Sequence, residues 1–93
     1  GMDTVAYAAT VMELARADAS VAITMAAHTS LGTMPIVIAG SEEQKKKFVP
    51  PLASGEMIGA FGLTEPDAWS DAGATKTTAE KRGDEYIING GKI

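Results

Sequence analysis

The stretch Pro50-Pro51-Leu52-Ala53-Ser54-Gly55-Glu56-Met57-Ile58-Gly59-Ala60-Phe61-Gly62-Leu63 marks a change in the character of this 93-residue chain. Before it, Ala, Met, Leu and Ile recur at helical spacing, and the two prolines with Ser54-Gly55 end the last helix. After it come Gly, Thr and β-branched residues with turn signals. Residues 57–63 are apolar or glycine throughout, which predicts a buried strand. Helices followed by strands indicate an α+β fold, with a helical segment over residues 1–55 and a β segment over residues 56–93.

Three helices are predicted in the first segment. The first runs from Asp3 or Thr4 to Ala17, and its apolar stripe contains Val5, Ala8, Met12 and Ala15, widened by Val11 and Leu14. Cap chemistry at Asp18 and Ser20 predicts a second helix from about Val21, which is apolar almost all round and is expected to be buried. A kink or break is expected near Pro35. Gly40 then ends this helix, and Ser41-Glu42-Glu43-Gln44 form a capping box that begins the third.

The second segment carries hairpin signals. Residues 74–81 alternate well enough for a half-exposed strand, Arg82-Gly83-Asp84 is a turn, and Tyr86-Ile87-Ile88 is the return strand. Asn89-Gly90 predicts a type I′ turn, because both central residues of that turn need positive φ. Only three residues follow it, so we expect a truncated piece of a larger protein.

Composition excludes several classes of function. The formal net charge is −4, which leaves no basic footprint for nucleic acid. The chain has no cysteine, which excludes disulfides, thiolate metal sites and cysteine nucleophiles, and no metal site is expected. No apolar stretch is expected to reach the membrane-spanning length of about 18 residues. No signal peptide is visible, and a cytosolic or matrix-like compartment fits.

The segment from Phe61 to Gly73 is dense in hydroxyls, acids and backbone N–H groups. From the residues alone, such a loop either binds a polar rim or phosphate through its amides, or is a turn that satisfies its own backbone. His28 is the only histidine, and without a His, Cys or Asp constellation around it we expect a structural role.

A family resemblance emerges from several motifs in order. Thr64-Glu65-Pro66, followed by Ser70-Asp71, resembles the flavin-contacting signature of acyl-CoA dehydrogenases. Four further motifs resemble that family: Ala27-His28-Thr29-Ser30-Leu31-Gly32, Gly40-Ser41-Glu42-Glu43-Gln44-Lys45, Phe48-Val49-Pro50-Pro51-Leu52-Ala53-Ser54-Gly55 and Ile88-Asn89-Gly90. The resemblance covers essentially the whole chain. It implies an incomplete piece of the acyl-CoA dehydrogenase fold: the end of the N-terminal helical domain and the start of the middle β-domain.

The resemblance also implies a cofactor and its ligands. FAD is the expected cofactor, and the family's pattern assigns its contacts to Phe61, Leu63, Thr64 and Ser70. Ser70 is expected to lie between the cofactor and the acyl-CoA. The acyl pocket is assigned to Thr24, Ala27 and Leu31, although an Ala/Leu stripe equally describes ordinary core. Glu65 belongs to the loop signature and is not the base. Glycines are usual in the family where Asp67 and Trp69 stand, and glycine permits close approach of backbone to ligand.

The catalytic base is expected beyond Ile93, so the resemblance implies an inactive fragment of a fatty-acid-metabolising flavoprotein oxidoreductase. The implied partners are acyl-CoA, an electron-transfer flavoprotein and further copies of the same chain in a homo-oligomer. The implied location is the bacterial cytoplasm or the mitochondrial matrix. Two alternatives remain open: a non-catalytic module for self-association or partner binding, and a phosphate-binding loop protein.

Overall fold

The computed structural model describes residues 3–93, which divide into a helical unit that ends at Phe61 and a second unit, Gly62–Ile93. Helices precede antiparallel strands, so the predicted α+β class is confirmed. The helical unit ends a few residues after the boundary predicted at Gly55. The assignment of the two segments to domains of a larger fold stays a prediction.

Helix α1 spans Thr4–Ala17, as predicted. It begins where the Asp3 carboxylate accepts a hydrogen bond from the Ala6 amide at 2.8 Å. Helix α2, Ala19–Ala27, begins slightly earlier than predicted because Asp18 caps it, accepting from the amides of Ser20 and Val21. Hydrogen bonds from Ser20 and Val21 hold the pKa of Asp18 below its usual range.

The predicted inward stripe of α1 is only partly right. Val5 and Met12 are exposed, whereas Val11 and Leu14, which widen the predicted stripe, are half-buried together with Tyr7. The Tyr7 hydroxyl reaches the Ala26 carbonyl oxygen at 3.4 Å, so this face is the one that meets α2. The apolar pattern identifies two adjacent faces of α1, and it does not predict which of them packs against another helix.

Helix α2 continues through a π-helical segment, His28–Thr33, into α3, Met34–Ala39. Pro35 falls in the first turn of α3, where its fixed φ is tolerated, so the predicted break becomes a widening of the helix instead. The continuous stretch Ala19–Ala39 has 21 residues and passes a test of length and apolarity for crossing a membrane. The expectation that no stretch reaches that length is therefore wrong, although core helices of water-soluble proteins pass the same test. The expected burial is also wrong, because only Ala22 of α2 is buried by the described residues.

Helix α4, Glu42–Ala53, begins with the predicted capping box: Gln44 N donates to Ser41 Oγ at 3.2 Å and Ser41 N donates to Gln44 Oε1 at 2.8 Å. Pro50 and Pro51 lie inside its last turn and do not end it.

In the second unit, β1 (Thr78–Arg82) pairs antiparallel with β2 (Glu85–Asn89). The connecting turn has Gly83 at φ 64°, the position where a two-residue hairpin favours glycine. The predicted hairpin is confirmed. Its first strand begins at Thr78, because Ala72–Ala74 form a 3₁₀ turn capped by Asp71.

Two β predictions are wrong. Residues 57–63 form no strand, because no described strand lies beside them, and Met57 and Ile58 are exposed. The Asn89-Gly90 type I′ turn is absent, since Asn89 pairs with Thr78 in the ladder and keeps a negative φ. A glycine at position 90 is still required, because a Cβ there would lie 2.6 Å from Thr77 Cβ.

Candidate functional site

The helical unit contains a cavity of about 390 Å³ between α2 and the chain that follows α4. Its walls are mainly apolar, and the lining residues are Ser20, Val21, Thr24, Met25, His28, Gly55, Met57 and Ile58. No carboxylate is among them. A mostly apolar cavity with a few polar groups is the usual form of a small-molecule site.

His28 fixes one wall of this cavity. Its Nδ1 atom accepts a hydrogen bond from the Gly59 amide at 2.9 Å. Its Nε2 atom lies 3.1 Å from the Leu52 carbonyl oxygen. Since Nδ1 is an acceptor, the ring is neutral with its proton on Nε2. Both nitrogens are thus occupied by backbone groups, which agrees with the predicted structural role and leaves neither for proton transfer.

A close approach of two glycines supports the same wall. A Cβ on Gly32 would overlap the Gly59 carbonyl carbon and lie 2.6 Å from the Gly59 Cα atom. Only residues without side chains allow the π-helical segment and the chain at Gly59 to meet in this way.

The predicted acyl-pocket residues separate in the structure. Thr24 lines the cavity, and its hydroxyl donates to the Ser20 carbonyl oxygen at 2.9 Å. Ala27 is half-buried and Leu31 is exposed, and neither lines the cavity. Met25 and Ile58 supply apolar walls that the helical pattern did not single out.

The predicted flavin loop is the segment 61–73, and its part in the second unit contains a tight turn. Glu65 and Ala68 exchange both backbone hydrogen bonds, each at 3.1 Å, across Pro66-Asp67. Proline at the first central position suits such a turn, because its φ is already set. Ala68 is buried beneath the turn, whereas Trp69 is 80% exposed. The Asp67 carboxylate pairs with Lys76 Nζ at 2.9 Å on the surface.

Glu65 is buried, and its carboxylate oxygens accept three hydrogen bonds. Its residue is 5% exposed, and its oxygens accept from Lys76 N at 2.6 Å, Thr77 N at 3.1 Å and Lys92 Nζ at 2.8 Å. The Lys92 ammonium, followed by hydrogen bonds from Thr77 and Lys76, lowers the pKa of Glu65 from 4.5 to about 2. A carboxylate with so low a pKa, whose oxygens already accept hydrogen bonds, is a poor base. Its place in the loop signature stays a prediction.

The last two residues hold the backbone around Thr64. Lys92 Nζ donates to the Leu63 carbonyl oxygen at 3.1 Å, and the Ile93 amide donates to the Thr64 carbonyl oxygen at 2.9 Å. Both carbonyls are therefore occupied, while none of residues 3–93 hydrogen-bonds to the Thr64 amide or hydroxyl. Thr64 is half-buried, and its amide and hydroxyl are two donors without a partner among the described residues.

The remaining predicted flavin residues are exposed. Phe61 ends the helical unit with its ring half uncovered, and Leu63 and Ser70 are exposed in the second unit. The sequence did not single out Lys92, and only the structure relates it to residues 63 and 65. Among residues 3–93, no group of three or more His, Asp or Glu side chains gathers as a metal site.

Comparison with known proteins relates the whole chain to one family. A family model described as acyl-CoA dehydrogenase, N-terminal domain, matches residues 1–56. The chain is 50% identical to an acyl-CoA dehydrogenase of Bacillus subtilis, over 100% of this chain and 24% of that relative. It is 46% identical to the mitochondrial short-chain specific acyl-CoA dehydrogenase of Homo sapiens, over 99% of this chain and 22% of that relative. The chain thus spans about a quarter of these bacterial and mitochondrial relatives.

Two solved structures are similar to this chain in sequence and in fold. An acyl-CoA dehydrogenase from Bacillus anthracis, complexed with FAD, is 51% identical with a TM-score of 0.71, over 76% of this chain and 12% of that chain. A structure described as the electron transferring flavoprotein of Acidaminococcus fermentans is 52% identical with a TM-score of 0.85, over 89% of this chain and 22% of that chain.

Proposed function

Because this chain belongs to the acyl-CoA dehydrogenase family, we propose that the protein of which it forms part is an FAD-dependent acyl-CoA dehydrogenase. That protein would remove hydrogen from the α and β carbons of an acyl-CoA thioester. The single observation that carries the proposal for these residues is the free donor pair of Thr64 in a loop whose carbonyls are already occupied.

The residues of the second unit fit a flavin edge. When bound, FAD supplies the hydride acceptor, and the chain supplies binding and orientation. The Thr64 amide and hydroxyl would donate to polar atoms of the ring system. The exposed Leu63 side chain would cover apolar parts of it, and the exposed Ser70 hydroxyl would contact it as well. By the same resemblance, Phe61 is a further flavin contact and Ser70 a substrate contact.

We place the acyl chain along the helix that carries Thr24, Ala27 and Leu31. The cavity beside Thr24 supports this, since apolar side chains of Val21, Met25 and Ile58 face it. Burial of an acyl chain there would be driven by removal of apolar surface from water.

The catalytic base would come from outside these 93 residues. Two observations support this: the cavity has no lining carboxylate, and the Glu65 carboxylate is held by Lys92 and two amides. The chain alone would therefore hold ligands without turning them over. The electron-transfer flavoprotein partner, the homo-oligomeric state and the cytoplasmic or matrix location belong to the same proposal. The proposal also includes no membrane span: further parts of the protein would bury the apolar residues that are exposed along Ala19–Ala39.

The test uses the full-length protein under anaerobic conditions. Adding acyl-CoA to the FAD-loaded protein is expected to bleach the oxidised flavin absorption, while the 93-residue chain with FAD and acyl-CoA stays unbleached. Thr64→Val should weaken FAD binding about tenfold through the loss of one hydrogen bond. Thr78→Val, in an exposed strand position, is the matched control and should leave binding unchanged. A wild-type protein whose flavin is not bleached by acyl-CoA thioesters of any chain length would refute the proposal.

A second candidate is a non-catalytic module for self-association. The exposed Val21, Ile23 and Ile38 side chains favour it, because a second copy of the chain could bury apolar surface that the described residues leave exposed. Titrating FAD while following Trp69 fluorescence separates the two. Absence of quenching, together with concentration-dependent dimerisation, would favour the second candidate.

A further inference from the structure

Two neighbouring residues, Lys92 and Ile93, bond to three consecutive residues of the flavin loop. The Lys92 ammonium bridges the Leu63 carbonyl oxygen at 3.1 Å and the Glu65 carboxylate at 2.8 Å. The Ile93 amide bonds to the carbonyl oxygen of Thr64, which lies between them. The peptide groups on both sides of Thr64 are therefore fixed in orientation by contacts distant in sequence.

Glu65 connects this arrangement to a further part of the chain. Its carboxylate also accepts from the Lys76 and Thr77 amides, so it joins the loop to the chain entering β1 as well as to Lys92. A buried carboxylate with three donors is costly to displace, because removing one partner leaves a charge uncompensated. Side chains that hold a binding group from behind set its geometry without touching the ligand.

We propose that Lys92 and Glu65 are positioning residues for the flavin: the Lys92 bridge between Leu63 and Glu65 aims the Thr64 amide and hydroxyl at the cofactor. The inference rests on the proposed function. Neither side chain needs to contact FAD, because each acts through the backbone of residues 63–65. Loss of the bridge lets that backbone turn, which misaligns both Thr64 donors at once.

The experiment compares two Lys→Met variants of the full-length protein, Lys92→Met and Lys76→Met. Both remove one positive charge from the same unit, but Lys76 forms only an exposed pair with Asp67 through its side chain. The measurements are the Kd of the apoprotein for FAD and the reduction potential of the bound flavin. Lys92→Met should weaken FAD binding at least about tenfold and shift the potential, as expected for misaligned hydrogen bonds. Lys76→Met should match wild type in both.

Further variants keep the inference falsifiable. Lys92→Arg preserves the charge and should recover part of the affinity. Glu65→Gln combined with Lys92→Met should cost no more than the larger single change, because both act through one bridge. If Lys92→Met does not fold, Glu65→Gln replaces it. Wild-type affinity and potential in a folded Lys92→Met or Glu65→Gln protein would overturn the inference, and so would an equal loss in Lys76→Met. A wild-type protein that binds no FAD would instead refute the proposed function itself.

Discussion

The helical unit and the unit Gly62–Ile93 each use one polar side chain to join distant parts of the backbone, and the two side chains differ in charge. His28 is neutral and links the π-helical segment to Leu52 and Gly59. Glu65 is ionised and links its loop to Lys76, Thr77 and Lys92. In the helical unit, a backbone contact between Gly32 and Gly59 accompanies the His28 hydrogen bonds, whereas the second unit relies on the ion pair between Glu65 and Lys92. The first should be sensitive to added volume and the second to protonation.

The largest effect is expected for Gly32→Ala. The added Cβ would overlap backbone atoms of Gly59, and backbone cannot move aside as a flexible side chain can. Separating the π-helical segment from this chain should destabilise the helical unit by about 2–3 kcal/mol. Hydrogen exchange of the Gly59 amide measures the change as faster local opening.

The matched control is Gly91→Ala, where the added Cβ would have no heavy atom within 4 Å apart from its own residue and its two chain neighbours. It should change stability by less than about 0.5 kcal/mol. Equal effects of the two substitutions would show that the glycine contact does not hold the helical unit together.

The next effect is expected for His28→Ala. It leaves the Gly59 N–H without its acceptor, at a cost of about 2 kcal/mol. It also removes the contact of the ring with the Leu52 carbonyl oxygen, which still accepts from the Gly55 amide at 3.3 Å. His28→Asn can restore an acceptor near the Nδ1 position, and His28→Gln a donor near the Nε2 position, so each should recover part of the loss. Chemical denaturation measures the series.

The exposed Thr24→Val substitution, which removes only a bond to the Ser20 carbonyl, serves as the control. A His28→Ala protein as stable as Thr24→Val would mean that the ring is not an anchor.

These contacts also show which features the sequence could predict. The bounds of α1, the Asp18 cap and the Ser41-Gln44 capping box follow from residues three or four positions apart, so local patterns predict them. The prediction of a strand over residues 57–63 was wrong because a strand needs a neighbouring strand, which local patterns do not specify. The prediction of a turn at Asn89-Gly90 was wrong because Asn89 pairs with Thr78 in the ladder, which overrides its turn preference. For the candidate site, motif resemblance singled out Thr64. It did not single out Lys92, because local patterns do not relate a lysine to a carboxylate 27 positions away.

The smallest and most local effect on stability is expected from lowering the pH, and it concerns the second unit. The folded pKa of Glu65, about 2, lies below its ordinary value of 4.5. The unfolded loop therefore takes up a proton first as the pH falls. The contribution of the carboxylate is fully present above pH 4.5 and is lost as the pH falls through about 2. Exchange protection of the Lys76 and Thr77 amides, corrected for intrinsic rates, should decline across that window.

Glu65→Gln should flatten this dependence, because an amide does not titrate. The internal control is the Gln44 amide, whose partner is the Ser41 hydroxyl and not a titratable group. Protection that falls in parallel at Gln44, Lys76 and Thr77 would indicate global acid unfolding and would contradict a role specific to Glu65. Protection lost only at Lys76 and Thr77 would show that one ionised side chain holds the loop, as the contrast with the neutral His28 anchor requires.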